Sequence, residues 1–191
     1  MNSWIPKTNL GREVKDNQYS SIQEVLTNNR ITEPQIVDHF NQNLKMELVS
    51  MARISHTVSS GKVYQYQAVV LLGKPGVIGC GVGKDIVRAK AIKKAQSNAK
   101  KRLTYLGKLQ KNDFFTPERI SLCKKGATTI TVHPLPGHSI TASKFGRIYC
   151  NLVNLKGVKI TTGNKKRNVK GKVGSKLNYY TALHEAITEQ L

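Results

Sequence analysis

Glycine occupies every second position from Gly79 to Gly83, and this alternation constrains the fold more than any other feature of the chain. Successive residues of a β-strand point to opposite faces, so this period leaves one face of the strand without side chains. Another backbone can therefore approach that face closely. The segment that follows, residues 85–108, has the apolar periodicity of a helix and is rich in lysine and arginine. A bare strand face beside a basic helix predicts contact with the backbone of a polyanion, either RNA or DNA.

The positive charge lies in the last three quarters of the chain. The 191 residues include 31 basic and 11 acidic side chains, for a net charge of +20. Residues 1–47 hold 5 of the basic and 6 of the acidic side chains, so the excess belongs to residues 48–191. Such an excess favours an anionic partner. Acidic substrates and anionic membranes are alternatives, but no apolar run approaches the ~20 residues of a membrane helix. Nucleic acid is therefore the preferred interpretation, with no membrane partner.

The cysteines and histidines indicate neither a disulfide framework nor a metal site. Cys80, Cys123 and Cys150 are odd in number and far apart, and they form no CxxC pair. The five histidines are scattered without the spacing of metal ligands. We therefore expect buried, reduced thiols and no bound metal. Residues 1–11 lack the apolar core of a signal peptide.

The first part of the chain has the pattern of an α-β-β-β-α domain. Thr32 and Pro34 predict a helix start with Thr32 as its cap, and a short helix is predicted near Ile22. Alternating apolar residues predict three strands, over residues 46–57, 63–72 and 77–83. The basic helix then has an apolar stripe at i, i+4 spacing, formed by Val87, Ala91, Ala95, Ala99 and Leu103.

The second part has the pattern β-α-β-α, which makes the chain an α+β protein of two domains. Strands are predicted over residues 128–133 and 158–161, and helices over residues 143–153 and 176–191. The predicted divisions are an N-terminal extension, a first domain and a C-terminal domain, with the bounds 1–44, 45–112 and 113–191.

Nucleotide-binding enzymes do not fit the glycine segment. A P-loop that ends at Gly83 and Lys84 needs a glycine where Ile78 stands, and Asp85 replaces the hydroxyl that would hold magnesium. No nucleophile elbow or paired carboxylates are present. The basic helix has no acid between Asp85 and Asp113, so i, i+4 ion pairs do not explain its charge. Phosphate contact explains it better. The chain is predicted to be neither an enzyme nor a cofactor-binding protein.

Residues 51–106 resemble the family of small-subunit ribosomal protein five. The matching motifs are the basic loop Arg53–Val58, the segment Gly79–Lys84 and the alanine- and lysine-rich helix after it. A weaker match covers the second half, where residues 137–147 resemble a turn and an arginine-bearing helix. Gly174 and Ser175 resemble the start of the closing motif.

The resemblance implies a fold and a place in the cell. It implies two α+β domains, the first like a double-stranded-RNA-binding domain. It also implies a constituent of the small ribosomal subunit that holds rRNA, touches neighbouring ribosomal proteins and mRNA near where mRNA enters, and influences decoding accuracy. The runner-up is a free regulator that binds double-stranded RNA, and the match in the second domain disfavours it.

The residues expected to bind RNA are the glycines of the alternating segment and basic residues of the first loop, the basic helix and the C-terminal domain. They are Arg53, His56, Lys62, Lys74, Gly79, Gly81, Gly83, Lys84, Arg88, Lys93, Lys94, Arg147, Lys165, Lys166, Arg167, Lys170 and Lys172.

Departures from the family pattern indicate a divergent member. His56, Ser59 and Ser60 replace two lysines and a glycine that are usual in the loop, and Cys80 and Val82 replace common aromatics. Residues 165–172 resemble a basic insertion, residues 1–45 exceed the usual N-terminus, and the usual C-terminal tail is absent. Together with the abundance of Lys, Asn and Ile, these departures predict a mitochondrial ribosome in the matrix. A chloroplast or bacterial cytoplasmic ribosome is the alternative.

Overall fold

The computed structural model describes residues 4–40, 43–107, 110–111, 114–163 and 176–190. They form two compact units, one of Met1–Leu72 with Ile78–Tyr105 and one of Gly73–Val77 with Leu106–Leu191. Each main sheet has four strands, and helices accompany both, so the predicted α+β class is confirmed. The predicted domain bounds at residues 44 and 112 stay predictions.

Three short helices precede the first sheet. Hydroxyl groups cap two of them: Thr8 accepts a hydrogen bond from the Gly11 amide, and Ser21 accepts one from the Glu24 amide. The helix predicted near Ile22 is therefore confirmed. The predicted cap at Thr32 is wrong, because the third helix has Glu33 at that position and no side-chain cap. The helices are α1 (Asn9–Lys15), α2 (Ile22–Asn28) and α3 (Pro34–His39).

The Glu33 carboxylate ties the start of the chain to α3. It accepts hydrogen bonds from the backbone amides of Lys7 at 3.0 Å and Thr8 at 2.6 Å, and from the indole N–H of Trp4 at 3.0 Å. Burial raises the pKa of this carboxyl, but the bonds from Thr8, Lys7 and Trp4 outweigh that effect and leave the pKa below its ordinary value. The ionised carboxylate is therefore the form that holds residues 4–8 in place.

Substitution of Glu33 with alanine is expected to release this N-terminal segment. Buried hydrogen bonds to a charged group each contribute about 1.5–3 kcal/mol to stability, and exposure to solvent reduces this contribution. The variant is therefore expected to lose about 1–2 kcal/mol of the stability of this segment. Faster amide hydrogen exchange in α1 is the measurement. Because the folded pKa is lowered, the wild-type protein should lose the same protection as the pH falls through that pKa. Glu47→Ala, an exposed carboxylate, is the control, and equal exchange in the two variants would contradict the role of Glu33.

The first sheet has the order β1-β2-β3-β4, and one helix follows its third strand. The three predicted strands are confirmed, and β1 and β2 form a long hairpin. The predicted continuation of the helix to Lys108 is wrong. The helix ends at Lys100, and Leu103, assigned above to the helical stripe, begins a strand beside β3. The elements are β1 (Lys45–Val58), β2 (Gly61–Lys74), β3 (Val77–Asp85), α4 (Arg88–Lys100) and β4 (Leu103–Tyr105).

The alternating glycines of β3 lie against α4. A Cβ built on Gly79, Gly81 or Gly83 would collide with α4 backbone atoms, the carbonyl oxygens of Ala99, Ala95 and Ala91 respectively. The predicted close backbone approach is confirmed, but the approaching backbone belongs to the protein's own helix. The inference that the bare face meets a polyanion is therefore corrected.

The core of the first unit shows why α4 can come so near. The inner face of α4 consists of buried alanines, which pack against small and branched side chains of β2, with Met51, Tyr66 and Ile92 at the margin. Alanine on the helix and glycine on β3 together remove the side-chain layer between the two backbones. The fully buried members are Ala68, Val70, Leu72, Ala91, Ala95 and Ala99.

The second unit has the sheet order β7-β8-β10-β9, with antiparallel β7–β8 and β8–β10 pairs and a parallel β9–β10 pair. The predicted strands and helices are confirmed within these elements. Strand β7 was not predicted from the sequence, because its most apolar residue, Leu122, is exposed to solvent. The elements are β5 (Gln110–Lys111), β6 (Phe114–Phe115), β7 (Ser121–Lys125), β8 (Thr128–Pro134), β9 (Ile140–Thr141), α5 (Lys144–Val153), β10 (Val158–Gly163) and α6 (Lys176–Thr188).

The three cysteines are free and buried, as predicted. Burial raises the pKa of the Cys80 thiol to about 11 and that of the Cys150 thiol to about 12. Because the thiolate is the reactive form, iodoacetamide at pH 8 should modify these two residues at least about 100-fold more slowly in the folded protein than in urea. Peptide mass spectrometry measures the rates. Native rates equal to those in urea would show that the thiols are accessible.

Candidate nucleic-acid interface

The outer face of α4 carries a group of exposed positive charges. Lys90 and Lys93 are exposed and lie on the side of the helix opposite the buried Ala91 and Ala95, and Lys94 is exposed on its flank. This separation follows from the helical period of 3.6 residues, which places alanines and lysines on opposite faces. The packing of alanine on glycine thus fixes the direction in which the lysines point.

Two lysines of α4 have acidic partners. The ammonium group of Lys94 lies 2.6 Å from a carboxylate oxygen of Asp85, and Lys100 pairs with Asp38 of α3. The hydrogen bond from Lys94, followed by one from the Val87 amide, lowers the pKa of Asp85 below its ordinary value. Reasoning from i, i+4 spacing missed both pairs, because one is formed by the strand end before the helix and the other by a distant helix.

Other cations of this surface have no such partner. In the part of the chain that the structure describes, no carboxylate lies within 4.0 Å of the side-chain nitrogens of Lys84, Arg88, Lys90 or Lys93. All four residues are exposed. Their charges are therefore available to an anion from solution.

Two tyrosines of β2 carry stacked arginines, one from β1 and one from the start of α4. The guanidinium carbon of Arg53 lies 3.9 Å from the ring centre of Tyr64, and that of Arg88 lies 4.8 Å from the ring centre of Tyr66. Both tyrosines are on the face of β2 that carries Ala68, because alternate residues of a strand share a face. A stacked guanidinium keeps its rim of N–H donors free for phosphate. The sequence contains a signal for these stacks, namely two tyrosines at alternate positions of a strand in a basic chain. The sequence analysis did not interpret them as partners of arginine.

The structure brings together only some of the predicted RNA-binding residues. The three glycines are buried and present no surface of their own. Lys74 is half-buried at the end of β2, in a segment that groups with the second unit, and Arg147 is exposed on α5 of that unit. Of the predicted RNA-binding residues in the first unit, the exposed ones lie in the β1–β2 hairpin and at α4. They are Arg53, His56, Lys62, Lys84, Arg88, Lys93 and Lys94. The predicted basic loop, with Lys165, Lys166, Arg167, Lys170 and Lys172, lies outside the described residues.

The described residues were compared with the requirements of a metal centre and of a membrane span. Among the described residues, no three His, Cys, Asp or Glu side chains are grouped so that they would hold a metal ion. Of the helices described, none has the length and apolar character needed to cross a bilayer.

Comparison with known proteins gives a consistent result. Residues 44–106 match the profile of the family described as ribosomal protein S5, N-terminal domain. Over 193 residues the chain is 31% identical to small ribosomal subunit protein uS5 of Pyrobaculum calidifontis, an alignment that covers 96% of this chain and 92% of the relative. It is 31% identical over 196 residues to uS5 of Pyrobaculum arsenaticum, with 98% and 94% covered. The uS5 of Methanoregula boonei is 42% identical over 102 residues, 52% of this chain and 50% of the relative.

Proposed function

Because this chain belongs to the ribosomal protein S5 family, and is therefore a structural, non-enzymatic constituent of the small ribosomal subunit, we propose that the outer face of α4 and the β1–β2 hairpin hold its rRNA. The unpaired cations at α4 carry this proposal. Each phosphate they neutralise releases condensed counterions, which drives binding without base specificity. The buried alanines on the inner face of α4 form its packing against the core. The cations on its outer face do not contribute to that packing.

The finer parts of the proposal rest on the family. We propose that the protein contacts neighbouring small-subunit proteins and mRNA near the site where mRNA enters, and that it supports decoding accuracy. Arg147 and the basic residues of the segment 165–172 remain proposed RNA contacts from the sequence. The alternative of a free RNA-binding regulator loses support because relatives aligned over nearly their whole length are named as ribosomal proteins.

Sedimentation tests the proposal. In a sucrose gradient at moderate salt, the protein should travel with the small subunit and leave it only at high salt, as expected of phosphate contacts. A free regulator would stay at the top of the gradient. Cross-linking of the gradient fraction should then join peptides of β1, β2 and α4 to rRNA. Cross-links confined to the second unit would overturn the assignment of the RNA surface.

The compartment of the ribosome stays a prediction. The loop departures and the composition led to a mitochondrial ribosome, whereas the relatives compared above are archaeal and favour a small subunit of archaeal type. Sequencing the rRNA that copurifies with the tagged protein decides this, because mitochondrial and other small-subunit rRNAs differ in sequence. Mitochondrial rRNA confirms the first assignment, and any other small-subunit rRNA excludes it.

A further inference from the structure

A cavity of about 390 Å³ lies where the segment between α2 and α3 meets the end of α4. One wall comes from the N-terminal segment, the other from residues at and after the C-terminus of α4. The first wall is thus supplied by residues that precede the first sheet and that sequence analysis left without a function. The lining residues are Arg30, Ile31, Thr32, Asn98, Lys101 and Arg102.

Both walls of this cavity are held in place. Ile31 is 2% exposed, so the backbone beside Arg30 is anchored in the core. At the other wall, the Lys101 and Arg102 amides donate hydrogen bonds to the carbonyl oxygens of Ser97 and Ala99. The ion pair between Asp38 and Lys100 joins α3 to α4 close by. The backbone positions of the three cations are therefore set by the fold.

The cavity contains three cations and no described carboxylate. In the residues that the structure covers, no acidic oxygen lies within 4.0 Å of the side-chain nitrogens of Arg30, Lys101 or Arg102. Cations at a helix C-terminus offset the helix dipole, which accounts for Lys101 and Arg102. It does not account for Arg30, which comes from a different segment. Three like charges in one cavity repel each other, and an anion in the cavity would relieve that repulsion.

We propose that this cavity binds a phosphate of the rRNA backbone, an inference that rests on the proposed function. The hydroxyl of Thr32 and the amide of Asn98 add neutral hydrogen-bonding groups to the three cations. Asn98 also lines a second cavity of about 350 Å³ with Lys84 and Lys94, and its amide nitrogen donates to the Val82 carbonyl at 2.8 Å. The shared residue makes the basic surface continuous from the end of β3 along α4 to Arg30. Arg30 and Thr32, which precede β1, thereby become part of the RNA-binding surface.

Substitution of Arg30 tests the contact on the full chain, with purified small-subunit rRNA as the probe. Arg30→Gln should lower the slope of log affinity against log salt concentration by about 0.7–0.9 and weaken binding about fivefold at 0.15 M salt. Arg12→Gln removes the same charge from α1, away from the cavity, and should leave the slope unchanged. Equal losses in the two variants would show a general effect of charge and overturn the inference.

Acetylation footprinting of the unmodified sequence gives a readout that does not depend on any variant's folding. Bound rRNA should protect both Lys93 and Lys101 from acetylation, with Lys15 as the unprotected reference. Protection of Lys93 alone overturns the cavity inference and leaves the proposed function standing, whereas protection of neither overturns both. Protection of Lys101 by millimolar inorganic phosphate to the same degree as by rRNA would show a site for free anions and overturn the RNA assignment.

Discussion

Replacement of Gly81 with alanine is expected to unfold the first unit. The new Cβ would collide with the carbonyl oxygen of Ala95 and with the backbone nitrogen and Cα of Ala99. These are helix backbone atoms, which cannot rotate away as a side chain would, so α4 must leave the sheet. Overpacking of a core by side chains typically costs about 1–3 kcal/mol, and we expect about 3 kcal/mol or more here. Urea denaturation followed by circular dichroism measures the loss.

A second glycine provides the control for this experiment. Gly163 in β10 has open space at its Cβ position and an ordinary backbone conformation, so Gly163→Ala should change stability little. If the bare face of β3 contacted RNA, as the glycine pattern predicted, Gly81→Val would fold and fail only in ribosome assembly. A stable Gly81→Val protein with that defect would restore an RNA contact at β3 and refute the packing explanation.

Charge reversal on the outer face of α4 should produce the largest change in RNA binding. Lys90→Glu combined with Lys93→Glu removes two unpaired cations, and the salt slope of rRNA affinity should fall by about 1.4–1.8. This pair is a cleaner choice than Lys93 with Lys94, which are both among the RNA contacts predicted from the sequence. Glutamate at position 94 would also face Asp85 and break the existing ion pair. Filter binding over a potassium chloride series measures the slope.

Matched reversals in the N-terminal segment distinguish phosphate contact from net charge. Lys7→Glu combined with Lys15→Glu changes the charge by the same amount on residues outside the proposed surface. If the salt slope of rRNA affinity falls by the same amount in both double variants, α4 has no special role. If the α4 variant keeps the wild-type slope, its lysines face solvent on the ribosome. Thermal melts of each variant confirm that the fold survives.

The alternating glycines and the alanines at i, i+4 spacing are both visible in the sequence, but the sequence analysis did not pair them. Glycines two apart in a strand are about 6.8 Å apart, and alanines four apart in a helix are about 6 Å apart. This near match lets Gly79, Gly81 and Gly83 follow the same row as the alanines of α4. Both periods were visible, and the missing step was to compare them in ångströms.

Other differences arise from contacts between distant residues. The end of α4 at Lys100 depends on the pairing of β4 with β3, a tertiary effect that overrides the apolar stripe as far as Leu103. The hydrogen bonds of the Glu33 carboxylate join it to partners about 25 residues earlier. The cavity at Arg30 combines segments that no local pattern connects. Motif and periodicity thus predicted the elements and the basic helix, whereas ion pairs and cavities required the fold.

The contact of α4 with β3 has a consequence for the thermodynamics of RNA binding. A helix whose backbone touches a strand backbone without an intervening side-chain layer has little freedom to rock, so the Cα positions of Lys90 and Lys93 are set before rRNA arrives. Only the side-chain rotamers remain to be ordered, at about 0.5–1.5 kcal/mol each. In the proposed rRNA contact the protein is therefore a preorganised template, and the conformational adjustment on binding falls mainly to the RNA.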